Sequence, residues 1–349
     1  MTTDAQESPR PDLESWRAER SAHVHTLRRG IRLTSASSLA AVHPADPSVR
    51  LGRRIRRGVH LPAVAESRSV DEELITMAIA VDTAAAGSPV FAHGTAAALW
   101  GLPSIGSPPT RVEYVVKPGS RGRSPQVTRR RTTLPVSQDD IGGLSVTTIE
   151  RTIVDHARHS SLESAIAMCD SAIHHRLTSR AQLVDEAERL PRGARGRRMA
   201  ILAVHLADGR SESVLESLSR ARMFQLGMPL PELQVDFWDD AGFIGRTDFY
   251  LPQLRIIGEC DGAVKYAVSA QQSSKQVVDA LLREKSRETR LRRHGDVRDV
   301  FRWGWAEAFD PSRFFDILVA AGIHPVAEGG WPLPPGPLPS NAYFADRLR

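Results

Sequence analysis

Cysteine is almost missing from this chain: 349 residues hold two, Cys169 and Cys260, far apart in sequence. Two separated thiols cannot frame a disulfide-built fold, and free cysteines of this kind point to a reducing compartment. No apolar run approaches the roughly 18 residues that a membrane-spanning helix needs. Residues 1–22 are polar and carry no apolar core of a secretory signal. No internal repeat is present. What these absences leave is the expectation of a soluble, cytoplasmic protein with no membrane partner.

Charged residues make up 25% and hydrophobic ones 41%, ordinary values for a globular chain long enough for two or three domains. Lys and Arg number 46 against 41 Asp and Glu, a net charge of +5. That excess is small, but the positive residues cluster, and clustering is what binds nucleic acid.

The fold class expected is mixed α/β (α+β) and multidomain. Residues 1–25, polar and holding Pro9 and Pro11, read as a flexible tail. Within 26–68, Asp46-Pro47 makes an N-cap followed by proline at the first helical position. The helix predicted after it sets Arg50, Arg53, Arg54 and Arg57 at i, i+3, i+4 and i+7, and Gly58 to Pro62 reads as a strand. Helix, turn, basic helix and strand suggest a winged helix-turn-helix with the arginine stripe against DNA.

Residues 69–205 read as a mixed domain. A helix is predicted over 72–85, a strand turning into a helix packed by Trp100 over 91–102, strands at 111–116 and 127–132, and a strand leading into a helix over 144–158. His93 stands before a helix and reads as a capping or packing residue. Residues 206–322 form a further domain. The proline-rich stretch within 323–349 can build neither helix nor sheet.

The densest information lies between Phe243 and Tyr266. Segments 243–251 and 254–260 are rich in β-prone residues, with Pro252-Gln253 as the break between them. A turn at that break sets Asp248 opposite Ile257 and makes Glu259 its diagonal neighbour on the same face, roughly 7–8 Å away at the backbone. Two carboxylates on one face of an apolar hairpin repel, and a divalent cation removes that cost. Upstream, Ser211 caps a predicted helix bearing Glu212 and Glu216 at i,i+4. Downstream come a basic helix over 273–293, a strand over 299–305 and a closing helix over 311–321.

Over residues 208–322 this order and these residues resemble the PD-(D/E)XK nuclease superfamily, specifically its very-short-patch-repair-like endonucleases, with a restriction-endonuclease-like αβββαβ core. The elements that carry the resemblance are the helix glutamates, Arg246-Thr247-Asp248-Phe249, Glu259-Cys260-Asp261-Gly262, Lys265-Tyr266 and Glu284-Lys285-Ser286-Arg287-Glu288. The resemblance implies a Mg²⁺ or Mn²⁺ site with Asp248, Glu259 and the Cys260 carbonyl as ligands and Glu212 or Glu216 reaching in. The family's lysine, two positions after the glutamate, is replaced by Asp261. The nearest lysine is Lys265, placed to stabilise the attacked phosphate, while Asp261 is a candidate for a second metal. Arg283, Lys285 and Arg287 are expected to hold the DNA backbone.

A second resemblance covers the earlier part of the chain. His93 to Leu102, Arg151-Thr152-Ile153-Val154-Asp155 and Gly58-Val59-His60 are similar to antitoxins of the abortive-infection (AbiEi-like) toxin–antitoxin systems, DNA-binding autoregulators with an N-terminal winged helix. The expected function is a metal-dependent DNA endonuclease. The alternative is a non-catalytic antitoxin or transcriptional regulator with a degenerate nuclease domain. Expected partners are DNA, a cognate toxin and a second copy of the chain.

Overall fold

The computed structural model describes residues 13–29, 54–56, 59–60, 69–85, 87–120, 125–261, 274–327 and 329–334. The chain is mixed α/β and divides into two compact units. The first is Met1–Met168 with His175–Ala200, the second Cys169–His174 with Ile201–Arg349.

The first described element is α1 (Leu13–Arg29), which occupies residues 13–25 of the expected tail; residues 1–12 lie outside the described residues. Its sequence is too polar to announce burial, yet three side chains tie it down. Val24 is fully buried, the Trp16 indole donates to the Trp100 carbonyl at 2.7 Å, and Arg20 donates to the carbonyls of Leu99 and Ala98. Those carbonyls end the helix over 93–100, so Arg20 places a cation at a helix C-terminus, where the dipole favours it. The strands β1 (Arg54–Arg56) and β2 (Val59–His60) pair antiparallel. Arg54 therefore lies in a strand, and the helical spacing that defined the arginine stripe does not apply to it. Arg50, Arg53 and Arg57 lie outside the described residues.

After α2 (Val70–Thr83), capped by a Ser69–Glu72 capping box, come β3 (Val90–Phe91), α3 (His93–Trp100), β4 (Val112–Val116), β5 (Val127–Arg131), β6 (Gln138–Ile141) and β7 (Leu144–Thr147). The five strands form one sheet in the order β5-β4-β3-β7-β6, with parallel β4–β5 and β3–β7 pairs. Trp100 is fully buried and donates its indole N–H to the Thr147 carbonyl, fastening α3 to β7. Four helices follow: α4 (Ile149–Ala157), α5 (Leu162–His174), α6 (Arg180–Glu188) and α7 (Arg197–Leu206).

The second unit has the element order expected for it with one short helix, α10, added after β11: α8 (Val214–Gln225), β8 (Glu232–Asp239), β9 (Gly242–Leu251), β10 (Ile256–Asp261), α9 (Ser274–Arg293), β11 (Asp299–Gly304), α10 (Trp305–Phe309) and α11 (Pro311–Ala320). The sheet order is β11-β10-β9-β8, antiparallel except for the β10–β11 pair, which runs parallel across the α9 crossover. One face carries Phe237, Ile244, Tyr250, Ile257 and Val300 with Leu291 of α9. On the other side, Trp303 and Cys260 reach Ser219 of α8. Gly258 is required there: a Cβ would stand 2.6 Å from the buried Trp303 ring.

Helix α8 is anchored by an ion pair in a nearly dry environment. Arg220 donates to both oxygens of Asp170 at 2.8 and 2.7 Å, and Ser217 and the Asp208 N–H complete the carboxylate. The start of the proline-rich stretch is tied to this unit by Trp331. Trp331 donates to the Met228 carbonyl and meets the Phe224 ring edge-on.

Candidate functional site: a carboxylate cluster held by arginines

The β9–β10 turn takes four residues, Pro252 to Arg255, rather than two. Arg255 occupies the left-handed region (φ 56°), and the register pairs Leu251 with Ile256 and Phe249 with Gly258. The expected pairing of Asp248 with Ile257 is therefore corrected by two residues; Ile257 pairs with Tyr250. A shift of two preserves the faces of a pleated strand, so Asp248 and Glu259 still share one. The β9–β10 ladder ends at Gly258. Beyond it, Asp248 Oδ2 accepts the Cys260 N–H at 2.8 Å.

The two acids have different surroundings. Glu259 is 5% exposed, so it is closed off from solvent. Both its oxygens are taken by Arg287 Nη2, at 2.8 and 2.6 Å, and Arg302 Nη2 approaches Oε2 at 2.9 Å. Arg287 also bonds Glu284 through Nε at 3.0 Å. Arg302 pairs with Glu284 and reaches Asp261 at 3.2 Å. Arg287, expected from its place in the basic helix to hold the DNA backbone, is the central cation of an acidic cluster. Burial pushes the Glu259 carboxyl above the usual range, and the two guanidinium groups pull against it.

Helix α8 starts two residues later than expected. Its N-cap is Ser213, not Ser211, so Glu212 precedes the helix and does not share a face with Glu216. Glu212 is half exposed and only 4.0 Å from Arg246. Glu216 is buried and already satisfied: Oε2 accepts the Glu212 N–H and the Gln234 amide, and Oε1 accepts the Ser213 hydroxyl. Burial raises its carboxyl as well. Lys265 and Gly262 lie outside the described residues. Arg283 and Lys285 are exposed on α9.

A divalent ion needs convergent, unspent oxygens. Among the described residues no group of three or more His, Cys, Asp or Glu is arranged to hold one. The donor chemistry suits Mg²⁺, but Glu259 has both oxygens bonded to Arg287, and Glu216 has spent its own on a helix cap and Gln234. In this arrangement the residues do not fit the metal.

Glu284 gives the cluster a pH signature. Hydrogen bonds from Arg287 hold its carboxyl down to about 2, from an ordinary 4.5, with burial opposing and Arg302 assisting. A depressed folded value means stability that is present above the ordinary value and lost as pH falls towards the depressed one. Melting of the parent and Glu284→Gln is expected to differ most above about pH 4.5, the gap closing as pH falls towards 2. A gap independent of pH would remove Glu284 from the network.

Arg287 and Arg302 are the residues that sequence reasoning missed in this role. The signal available was their position: Arg287 lies three residues after Glu284, and Arg302 lies on the strand that pairs with β10 opposite Glu259.

No family model matches the chain. It is 29% identical over 225 residues, 64% of its length and 78% of theirs, to two uncharacterized proteins of Mycobacterium tuberculosis: MT2308 of strain CDC 1551 / Oshkosh and Rv2248 of strain ATCC 25618 / H37Rv. A solved structure, the RV2827C protein of Mycobacterium tuberculosis, overlaps 68% of this chain and 93% of its own at 13% identity and a TM-score of 0.34. That similarity is too low to carry an argument about fold.

Proposed function

We propose that this chain is a DNA-binding protein whose second unit is a PD-(D/E)XK nuclease-like domain, and that this domain binds rather than cuts. The observation that carries the choice is Glu259, whose two oxygens are occupied by Arg287 with Arg302 beside them. A catalytic cation would need those oxygens. The nuclease-like class is supported by the α8-β8-β9-β10-α9-β11 order with its parallel β10–β11 pair. The winged helix-turn-helix and the AbiEi-like middle region belong to the same proposal. The β1–β2 hairpin has the form of a wing, while 30–53 lie outside the described residues. A cognate toxin and a homodimer are the partners this antitoxin or regulator reading entails.

A second reading, a Mg²⁺- or Mn²⁺-dependent endonuclease, is favoured by a surplus of acid. Asp248, Glu259, Asp261 and Glu284 bring four formal negative charges to two from Arg287 and Arg302. Withdrawal of Arg287 would leave oxygens for an ion.

The binding proposal is tested by a salt series. Arg283→Glu with Lys285→Glu, both exposed on α9, are expected to weaken duplex binding and flatten the plot of log affinity against log salt. The slope should fall by up to roughly one unit for each phosphate that the variant no longer neutralises. Fluorescence anisotropy on a labelled duplex reads both quantities. An unchanged slope would take α9 off the DNA.

A further inference from the structure

The first unit holds a cavity of about 580 Å³, and its lining is strongly basic. Arg129, Arg130 and Arg131 reach it from the edge strand β5, and Arg151 and Arg158 from α4 and its C-terminal end. We propose that this cavity binds a phosphate-bearing ligand, either a free nucleotide or the phosphorylated end of a DNA strand. The volume lies within the roughly 300–1,000 Å³ typical of small-ligand sites.

The arginines are positioned, not merely collected. Asp155, 3% exposed, spends one oxygen on Arg151 Nε at 2.6 Å and the other on Arg158 Nη1 at 3.0 Å. One buried carboxylate thus orients two guanidinium groups and leaves a positive excess at the cavity wall. Glu113 does the same for Arg130, and it also accepts the Gly94 N–H at the start of α3. Arg130, Arg151 and Arg158 thus share two carboxylates, and Arg131 adds a further cation at the exposed edge. A surplus of positive charge around one cavity favours a negatively charged occupant, and the planar guanidinium fork matches phosphate oxygens.

His93 adds an independent observation. It is 7% exposed, lines the cavity, and takes φ 52°, a left-handed backbone that is uncommon outside glycine. Its ring meets His159 edge-on at 5.1 Å, and among the described residues no hydrogen bond to it is made. Burial pushes its pKa down to about 3, so at neutral pH the ring is uncharged and offers one N–H donor. Strained backbone of this kind concentrates at binding sites. A capping role does not explain the residue, because the N-cap of α3 is Ala92.

The test is calorimetric titration of the full chain at low salt with four probes: ADP, pyrophosphate, and one oligonucleotide with and without a 5′-phosphate. Saturable binding of at least one phosphate probe is expected. His93→Asn, whose side chain tolerates the left-handed backbone, and Arg131→Glu, exposed on the edge strand, should each weaken it by about tenfold or more, as for loss of one charge-assisted hydrogen bond. Arg131→Glu carries the test if His93→Asn does not fold. ADP displacing the other probes identifies a nucleotide site; preference for the 5′-phosphorylated strand without ADP competition identifies a DNA end. Absence of saturable binding with all four probes, or unchanged affinity in the variants, would overturn the proposal.

Discussion

Asp170→Ala is expected to destabilise the second unit by about 3–5 kcal/mol, the loss found when one member of a buried ion pair is removed. The aspartate is fully buried and Arg220 is 2% exposed, so the guanidinium left behind cannot recover its hydration. Two neutral donors, Ser217 Oγ and the Asp208 N–H, would be orphaned with it. The double change Asp170→Leu with Arg220→Met should recover much of the loss, because no charge then remains in the core. Urea unfolding followed by circular dichroism measures both. A single-variant loss under about 1 kcal/mol would mean that water reaches this pair.

Arg287→Ala is expected to have the second-largest effect and to change chemistry as well as stability. It removes the cation that bonds both oxygens of a buried glutamate, but Arg302 stays within 2.9 Å of Glu259. The loss should therefore fall below the full buried-pair figure, at about 2–3 kcal/mol. Freed from Arg287, the Glu259 oxygens stand on the face they share with Asp248. The variant should gain saturable Mn²⁺ binding that the parent lacks, read by calorimetry. Equal Mn²⁺ affinity in parent and variant would show that the arginine does not govern this site.

Much of the second unit was legible in the sequence because its elements are long and locally consistent. Strand β9 is rich in β-prone residues, Asp310-Pro311 marks the start of α11 with a cap and an N1 proline, and the later half of α9 is dense in charge. The register was harder. Pro252-Gln253 looks like the whole turn, yet Leu254 donates to the Leu251 carbonyl and Arg255 to that of Pro252, which extends the turn by two residues. Period-two alternation made that error harmless for the face of Asp248 and Glu259.

The first unit was less legible. Strand β6 reads Gln138-Asp139-Asp140-Ile141, a composition poor in β-formers; it exists because Gly142 and Gly143, at φ 61° and 80°, make the tight turn that pairs it with β7. Helix α1 is polar enough to pass for a tail, and the groups that fix it, at Ala98 to Trp100, stand far along the chain. The site was half legible for a related reason. Spacing brings carboxylates to one face, but it does not say which cation meets them, and here two arginines do.

The most direct test is incubation of the purified full-length chain with supercoiled and linear DNA in Mg²⁺ and in Mn²⁺, with binding measured on the same samples. Salt-sensitive binding without nicking or cutting is the predicted result, and Asp248→Ala should leave affinity nearly unchanged. Cleavage that depends on the divalent ion and disappears in Asp248→Ala would contradict the account and establish the endonuclease reading in its place.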